Sequence, residues 1–150
     1  MNPLFVRIGA VAVAAAAVVA LLGAGQPDVT KARLERSLAD VYPNLYGQQA
    51  ALLGHPGVSR QSMRARPHCD RGGPKVADVG SGSDWICFID FIDDKGAAQH
   101  AKMEVTAKSN ACYVATGPSR ITGPLRLTDT HGQDVLNPVF EYDACYDPAS

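Results

Sequence analysis

The sequence predicts an α+β domain that follows an N-terminal export segment and is held together by two disulfides. Residues 8–22 are uniformly apolar. Residues 28–54 then repeat apolar side chains at helical spacing, whereas residues 84–147 contain runs that alternate apolar and polar side chains, as half-buried strands do. All four cysteines lie beyond the apolar run, in a part of the chain that we expect to be exported and therefore oxidised.

Residues 1–26 are predicted to be a signal peptide or a signal-anchor helix. Arg7 is the only charge before Asp28 and directly precedes the apolar run, which is the order of an export signal. A helix over residues 8–24 would span about 25 Å, short of the roughly 30 Å hydrocarbon core. Two outcomes therefore stay open: a cleaved signal that releases the domain, or an uncleaved membrane anchor with its N-terminus in the cytoplasm. Either places residues 27–150, predicted as a single domain, outside the cytoplasm.

Residues 28–54 are predicted to be helical. Thr30 or Asp28 is expected to cap the helix N-terminus. The apolar positions recur at intervals of 4, 3 and 4 residues: Leu34, Leu38, Val41 and Leu45. Because proline disfavours helix in the residue before it, Pro43 is expected to stop or kink this helix and leave a second short one over residues 44–53.

Residues 55–83 are rich in Gly, Ser, Arg and Pro and are predicted to form an irregular loop. Residues 84–147 are predicted to form a small antiparallel sheet of four or five strands. Residues 84–92 place four apolar side chains on one face (Trp85, Cys87, Ile89 and Phe91), and residues 100–108 alternate cleanly. Further strands are expected at residues 111–115, near Ile121, and at residues 125–127 and 139–145.

Four cysteines allow three pairings, and position favours Cys69–Cys87 and Cys112–Cys145. Closing loops of these lengths is expected to stabilise the fold by roughly 3–4 kcal/mol each. The alternative is a zinc site that uses His68 and His100 with Cys69 and Cys87, but the chain lacks the C-x-x-C spacing of zinc sites. We therefore expect disulfides, with no metal and no cofactor.

The charge of the exported part is unevenly spread. Residues 27–75 hold eight Lys or Arg and four Asp or Glu, whereas residues 76–150 hold five and eleven. The first part could therefore contact anionic lipid or a wall polymer, although two solvated faces explain the same counts. Because no basic run is interleaved with aromatic residues, nucleic-acid binding is not expected.

No catalytic signature of hydrolases, metalloproteases or phosphate-binding loops occurs in the chain. A hydrolase would need one of the four histidines beside a nucleophile and a carboxylate. The available groups are His55, His68, His100, His131, Ser62, Ser119, Asp129 and Asp134. Residues 80–83 superficially resemble a calcium loop, but glycines occupy the positions that need carboxylates. The aromatic side chains are expected to be core rather than a binding face: Trp85, Phe88, Tyr113, Phe140 and Tyr142.

Three short motifs resemble a family of small exported proteins of actinobacteria. They are D-W-I-C at residues 84–87, N-A-C-Y at residues 110–113, and N-P-V-F at residues 137–140 followed by D-A-C at residues 143–145. The family pattern has glycine where this chain has Ala111 and Ala144. The resemblance covers about residues 70–147 and implies a cell-envelope location and a disulfide-stapled, β-rich domain. It implies no active site.

The sequence therefore favours a non-enzymatic domain of the cell envelope, a binding or accessory module held at the membrane or released from it. Its expected partners are the membrane, if the N-terminal segment is uncleaved, and an envelope protein or polymer. The alternative is a small extracytoplasmic hydrolase that uses His131 or His100 with a nearby carboxylate.

Overall fold

The computed structural model describes residues 29–146. The predicted signal or anchor segment, residues 1–26, lies outside the described residues. Among residues 29–146, no helix has both the length and the apolar character that a membrane crossing requires.

A long helix, α1 (Lys31–Leu52), begins the described fold. Thr30 caps its N-terminus, since the Thr30 hydroxyl accepts a hydrogen bond from the backbone N–H of Arg33 at 3.3 Å. One stripe of the helix is buried: Leu34, Leu38, Tyr42, Pro43, Tyr46, Gln49 and Ala50. This 3.6-residue repeat gives the helix a single core-facing side.

The expected stop at Pro43, with a separate helix over residues 44–53, is wrong, because α1 continues through this residue to Leu52. Pro43 removes one helical hydrogen bond, which costs about 3 kcal/mol in an exposed helix. Here the buried side chains of Tyr42 and Tyr46 flank the proline. Their contacts with the sheet hold the turns on both sides of Pro43 in helical conformation, so that tertiary packing overrides local preference.

The prediction of an antiparallel sheet is confirmed, with five strands in the order β1-β2-β3-β4-β7. These strands are β1 (Arg66–Asp70), β2 (Gly82–Ile92), β3 (Ala98–Ala107), β4 (Cys112–Thr116) and β7 (Glu141–Cys145). The turn between β2 and β3 is held by Asp93, whose carboxylate accepts hydrogen bonds from the backbone N–H groups of Lys95 and Ala97. Along β2 and β3, side chains are alternately buried on one face of the sheet and more exposed on the other.

The segment predicted as an irregular loop, residues 55–83, contains two regular elements. They are a single helical turn, α2 (Arg60–Met63), and the edge strand β1, which carries Cys69. The β1 sequence Arg-Pro-His-Cys-Asp has no strand signature, and β1 forms because it pairs with β2 in register, residue by residue. Pro67 is tolerated because β1 is an edge strand and needs hydrogen bonds on one side only.

The connection from β4 to β7 also differs from expectation. The strand predicted near Ile121 is a helical turn, α3 (Ser119–Thr122), and a two-stranded hairpin follows it, β5 (Arg126–Thr128) with β6 (Asp134–Leu136). A buried amide network holds this hairpin against α1. Gln49 Nε2 donates to the carbonyl of Thr122 and to Asn137 Oδ1, and Asn137 Nδ2 donates to the carbonyls of Thr122 and Pro124.

The core lies between α1 and one face of the sheet, which we call the inner face. The largest fully buried side chains of this core include Trp85, Tyr42, Tyr113, Leu34, Leu38, Ile89 and Met103. Trp85 also donates its indole N–H to the carbonyl of Gly80 at 3.0 Å, which satisfies the polar atom of a buried ring. Residues 80–83 thus lead into β2, the strand that carries Trp85.

Both favoured disulfides are confirmed, Cys69–Cys87 and Cys112–Cys145. Each joins residues that lie directly opposite one another on neighbouring antiparallel strands. Cys69 and Cys87 are fully buried on the inner face. Cys112 is half-buried and Cys145 is exposed on the opposite face.

Candidate functional site

The face of the sheet turned away from α1, which we call the outer face, is not covered by any element within residues 29–146. Its side chains come from alternate positions of the five strands, and they are half-buried or exposed. Phe88 and Ile86 are half-buried apolar side chains of β2, and Val114 is one of β4, on the far side of β3. Charged side chains lie beside them, so the outer face combines apolar and charged groups in one open surface.

A groove of about 370 Å³ lies at one end of the sheet, beside the last residues of β2. We call it the basic groove. Its walls are Arg64, Arg66, Asp90, Phe91, Ile92, Ala98 and Gln99. The floor is apolar, and the two arginines stand at the rim, where both are exposed.

The α2 turn positions Arg64 at the groove. Ser59 and Ser62 form a reciprocal capping box at the start of the turn, and Met63 is fully buried and anchors its end. Arg64 then adopts a left-handed backbone conformation with φ 50°. This reversal directs the chain into β1 two residues later, so that Arg64 and Arg66 line the same groove.

Neither rim arginine has a carboxylate within 4 Å among residues 29–146, whereas Arg60, Arg71 and Arg126 each form an ion pair with an aspartate. Asp90 shares the groove with the arginines, and its carboxylate lies beside the imidazole of His100, with 2.6 Å between Asp90 Oδ1 and His100 Nδ1. The rim therefore offers two guanidinium groups whose hydrogen-bond donors face solvent.

The groove also contains a free piece of sheet edge. β1 begins at Arg66, opposite Asp90, so β2 continues for two residues with a neighbour only on the β3 side. The backbone N–H of Asp93 bonds to Ala97 on the β3 side. Because alternate residues of an antiparallel strand bond to alternate neighbours, the N–H and carbonyl of Ile92 point toward the groove.

Three of the four histidines have carboxylate partners, and no hydroxyl lies within hydrogen-bond distance of any histidine side chain in residues 29–146. His100 pairs with Asp90 and stacks on Phe88 with ring centroids 4.9 Å apart. His55 contacts Asp94, which also accepts a hydrogen bond from the Tyr46 hydroxyl at 3.0 Å. His68 Nδ1 lies 3.7 Å from Glu35.

The fourth histidine and the other candidate groups have structural roles or lie apart. His131 is exposed in the β5–β6 turn, beside a shallow groove against α1. Asp129 accepts backbone hydrogen bonds from His131 and Gln133 and so shapes that turn. Asp134 pairs with Arg126, and the Ser62 hydroxyl donates to the carbonyl of Ser59. Ser119 begins α3.

The structure does not bring together the four side chains of the alternative zinc site. Cys69 and Cys87 are joined to one another, and no group of three His, Cys, Asp or Glu side chains in the described part of the chain is arranged to hold a metal. His68 and His100 lie on the outer face, whereas the two cysteine side chains lie on the inner face.

All five tyrosines of the chain are buried in the core rather than displayed for binding. Burial raises the pKa of Tyr113 to about 12, and it raises the pKa of Tyr146 to about 12 as well. Burial also raises the pKa of Tyr42 and of Tyr142. Trp85 is core, as expected, whereas Phe88 belongs to the outer face and is half-buried there.

The basic groove was not predicted from the sequence. Its two arginines lie in the stretch that was predicted to be irregular, and the run R-A-R at residues 64–66 is too common to mark a site. The groove also depends on where β1 starts relative to β2, which is a property of the pairing between strands. No local signal reports that register.

Comparison with known proteins adds no assignment: no protein family, no curated protein and no solved structure matches this chain.

Proposed function

We propose that this protein is a non-enzymatic binding module of the cell envelope that holds an extended acidic segment of a partner protein in the basic groove. The observation that carries the proposal is the pair of rim arginines, Arg64 and Arg66, which have no carboxylate partner among residues 29–146 and stand beside apolar groove walls. The envelope location is part of the proposal, and it rests on the export pattern and on the resemblance of the three motifs.

The free edge of β2 favours an extended peptide as the occupant. A peptide strand placed beside Ile92 would accept and donate the two hydrogen bonds that β1 does not provide there. Alternate side chains of such a strand point to opposite sides. One set would lie on the side of Ile92 and the two arginines, and the other set would lie on the side of Phe91.

The charge of the rim favours acidic side chains on that peptide. A guanidinium offers a planar fork of donors that matches a carboxylate, so two neighbouring arginines suit two carboxylates at alternate positions. Asp90 also lines the groove, but the two arginines outnumber this single carboxylate. The groove would therefore reject a basic segment and accept an acidic one.

The two disulfides are compatible with an extracytoplasmic location, since such bonds persist in oxidising compartments. The Cys69–Cys87 bridge also bears on the groove. It ties β1 to β2 three residues from Arg66, and thereby restricts the place where β1 begins. A rigid start of β1 pre-organises the rim and lowers the entropic cost of binding.

The test is selection of displayed random peptides of nine residues on the purified native chain with its disulfides intact. We expect enriched peptides to alternate acidic and apolar residues, and we expect their affinity to fall at least tenfold in the Arg64→Glu/Arg66→Glu variant. The matched control is Arg120→Glu, which reverses an exposed arginine outside the groove and should bind as the wild type does. Enriched peptides without acidic residues, or equal binding to all three proteins, would overturn the proposal.

One observation favours the second candidate, a small extracytoplasmic hydrolase. The His100–Asp90 pair has the geometry in which a carboxylate orients an imidazole, and Asp90 lines the groove. The pair is largely exposed, and no hydroxyl in the described part of the chain lies within hydrogen-bond distance of it, so this candidate ranks second. Hydrolysis of small activated esters that is lost in both Asp90→Asn and His100→Ala would support it over the binding module.

A further inference from the structure

A loop between β1 and β2, residues 71–80, lies beside the first described residues of the chain. We call it the entry loop. The Gly80 N–H donates to the carbonyl of Val29 at 2.9 Å, and the Lys31 N–H donates to the carbonyl of Asp78 at 3.1 Å. These backbone bonds fix the entry loop at the place where the N-terminal segment joins the domain.

The entry loop exposes two large apolar side chains, Val76 and Val79, which are 43% and 41% exposed. The other exposed large apolar side chains within residues 29–146 lie at or beside the opposite end of α1: Leu53, Leu125 and Leu136. Two exposed valines are ordinary on a protein surface. Their position beside the N-terminal segment is what gives them a specific partner.

Charge does not select an ionic partner for the entry loop. Arg71 pairs with Asp84 at 2.8 Å, and Lys31 lies 3.9 Å from the carboxylate of Asp78. Lys75 is exposed and has no ion pair within 4 Å among residues 29–146. The surface is therefore close to neutral and partly apolar, which suits a lipid interface better than a polyanion.

The order of the sequence places such an interface within reach. Four residues, 25–28, separate Val29 from the helix expected over residues 8–24. Because an extended chain spans at most about 3.6 Å per residue, the path from Ala24 to Val29 reaches no further than about 18 Å. A bilayer that holds residues 8–24 would therefore lie next to the entry loop, and far from the other exposed apolar side chains.

We propose that residues 1–26 are retained as a membrane anchor and that the entry loop lies against the lipid headgroups, with Val76 and Val79 in contact with the apolar part of the interface. The inference rests on the envelope location in the proposed function, but not on the basic groove. The short connection brings the domain to the bilayer, and the two valines select which side of the domain faces it. Because the contact is apolar, it should form on zwitterionic lipid and should not need anionic lipid.

This attachment turns the basic groove away from the bilayer. β2 starts at Gly82, just after the entry loop, and ends at Ile92 in the groove. Its eleven residues span about 35 Å. α1 leads the same way, because the Tyr46 hydroxyl in its second half donates to Asp94, beyond the end of β2, at 3.0 Å. The groove is therefore presented on the side where a partner protein can reach it.

The experiment uses the full chain, extracted from the membranes of a bacterial host and reconstituted in phosphatidylcholine vesicles. A photoreactive benzoylphenylalanine replaces Ala77, an exposed residue between the two valines. After irradiation, mass analysis of the peptide that contains residue 77 measures the lipid adduct. We expect this adduct, and we expect about tenfold less with the same probe at Lys95, an exposed residue of the β2–β3 turn at the groove end.

A double substitution separates the contact made by the valines from the effect of the short connection alone. With the probe at Ala77, Val76→Glu/Val79→Glu should lower the lipid adduct by about fivefold or more, because carboxylates keep the loop in water. The matched control is Leu125→Glu/Leu136→Glu, which places the same charges on exposed apolar positions away from the entry loop. It should leave the adduct unchanged. Near-ultraviolet circular dichroism checks that both variants remain folded.

Three results would overturn the proposal. One is an intact mass that shows removal of residues 1–26 from the chain in the host. The second is a lipid adduct that is equal at the two probe positions or unchanged by the valine substitutions. The third is an adduct at residue 77 with a second copy of the chain in place of lipid. None of these results would affect peptide binding by the groove, and a failure of peptide binding would leave the lipid contact untouched.

Discussion

The inner and outer faces of the sheet alternate along the same strands, yet they differ in almost every physical property. On β3, Ala101, Met103, Val105 and Ala107 are buried against the core, while the intervening side chains are exposed. The inner face contains the buried disulfide, and the outer face contains the exposed one. The difference shows that alternate residues of a single strand divide between core packing and exposure to solvent.

This separation predicts that neighbouring residues respond oppositely to substitution. Met103 is fully buried in the core on the inner face of β3. Met103→Ala therefore leaves a cavity and should lower the free energy of unfolding by about 2–5 kcal/mol. Lys102→Ala, one residue earlier on the outer face, should change it by less than about 0.5 kcal/mol. Urea unfolding with both disulfides intact measures the two values. Equal losses would show that the outer face is also packed.

The two disulfides should differ in their accessibility to reductant. Cys69 and Cys87 are fully buried, whereas Cys145 is exposed on the outer face. A mild reductant should therefore open Cys112–Cys145 first, since exchange needs access of a thiolate to the sulfur. Its opening should cost about 4 kcal/mol, because this bridge closes the longer loop, with a sequence separation of 33 against 18.

Alkylation after graded reduction, followed by peptide mass analysis, identifies which bridge opens. The buried bridge should react only when the domain unfolds, so its reduction should coincide with the loss of near-ultraviolet circular dichroism. Reduction of Cys69–Cys87 at the same rate as Cys112–Cys145 in the folded protein would contradict the assignment of these bridges to the two faces.

The smallest expected effect concerns the two alanines that stand where the family pattern has glycine. Ala111 has φ 63°, a left-handed conformation that costs about 1–2 kcal/mol for a residue with a Cβ atom. Ala111→Gly relieves this cost but increases the conformational entropy of the unfolded chain. We therefore expect the free energy of unfolding to rise by a net of about 0.5–1 kcal/mol.

Ala144→Gly is the matched control for this substitution. Ala144 lies within β7 and is not among the residues with positive φ. Glycine in a strand interior weakens the strand, so stability should fall by up to about 1 kcal/mol. The midpoints of urea unfolding compare the two variants. A loss of stability in Ala111→Gly would show that the turn before β4 is not strained.

Local patterns were sufficient for the elements whose residues alternate or repeat strongly. The alternation in β2 and β3 predicted both strands and the residues that they bury, and the spacing of Leu34 and Leu38 predicted the buried side of α1. These predictions succeed because hydrophobic periodicity is a property of the residues themselves. The favoured disulfide pairing is also confirmed, although Cys69 was predicted to lie in an irregular loop and four cysteines allow three pairings.

Local patterns failed where a distant partner decides the conformation. Pro43 remains inside a helix because Tyr42 and Tyr46 pack on Phe91, with ring centroids 5.2 and 5.3 Å apart. β1 is a strand because β2 offers it a hydrogen-bonding edge. In both cases a local preference worth about 1–3 kcal/mol is overridden by burial and pairing across the domain.

The amino-acid order alone therefore specifies the alternating strands, the amphipathic helix and the cysteines that join them. The register of β1 against β2 and the groove that opens where β1 begins arise only when the strands are side by side. The physical reason is that periodicity acts over a few neighbouring residues, whereas a surface is composed of residues that are distant in the chain and adjacent only after folding.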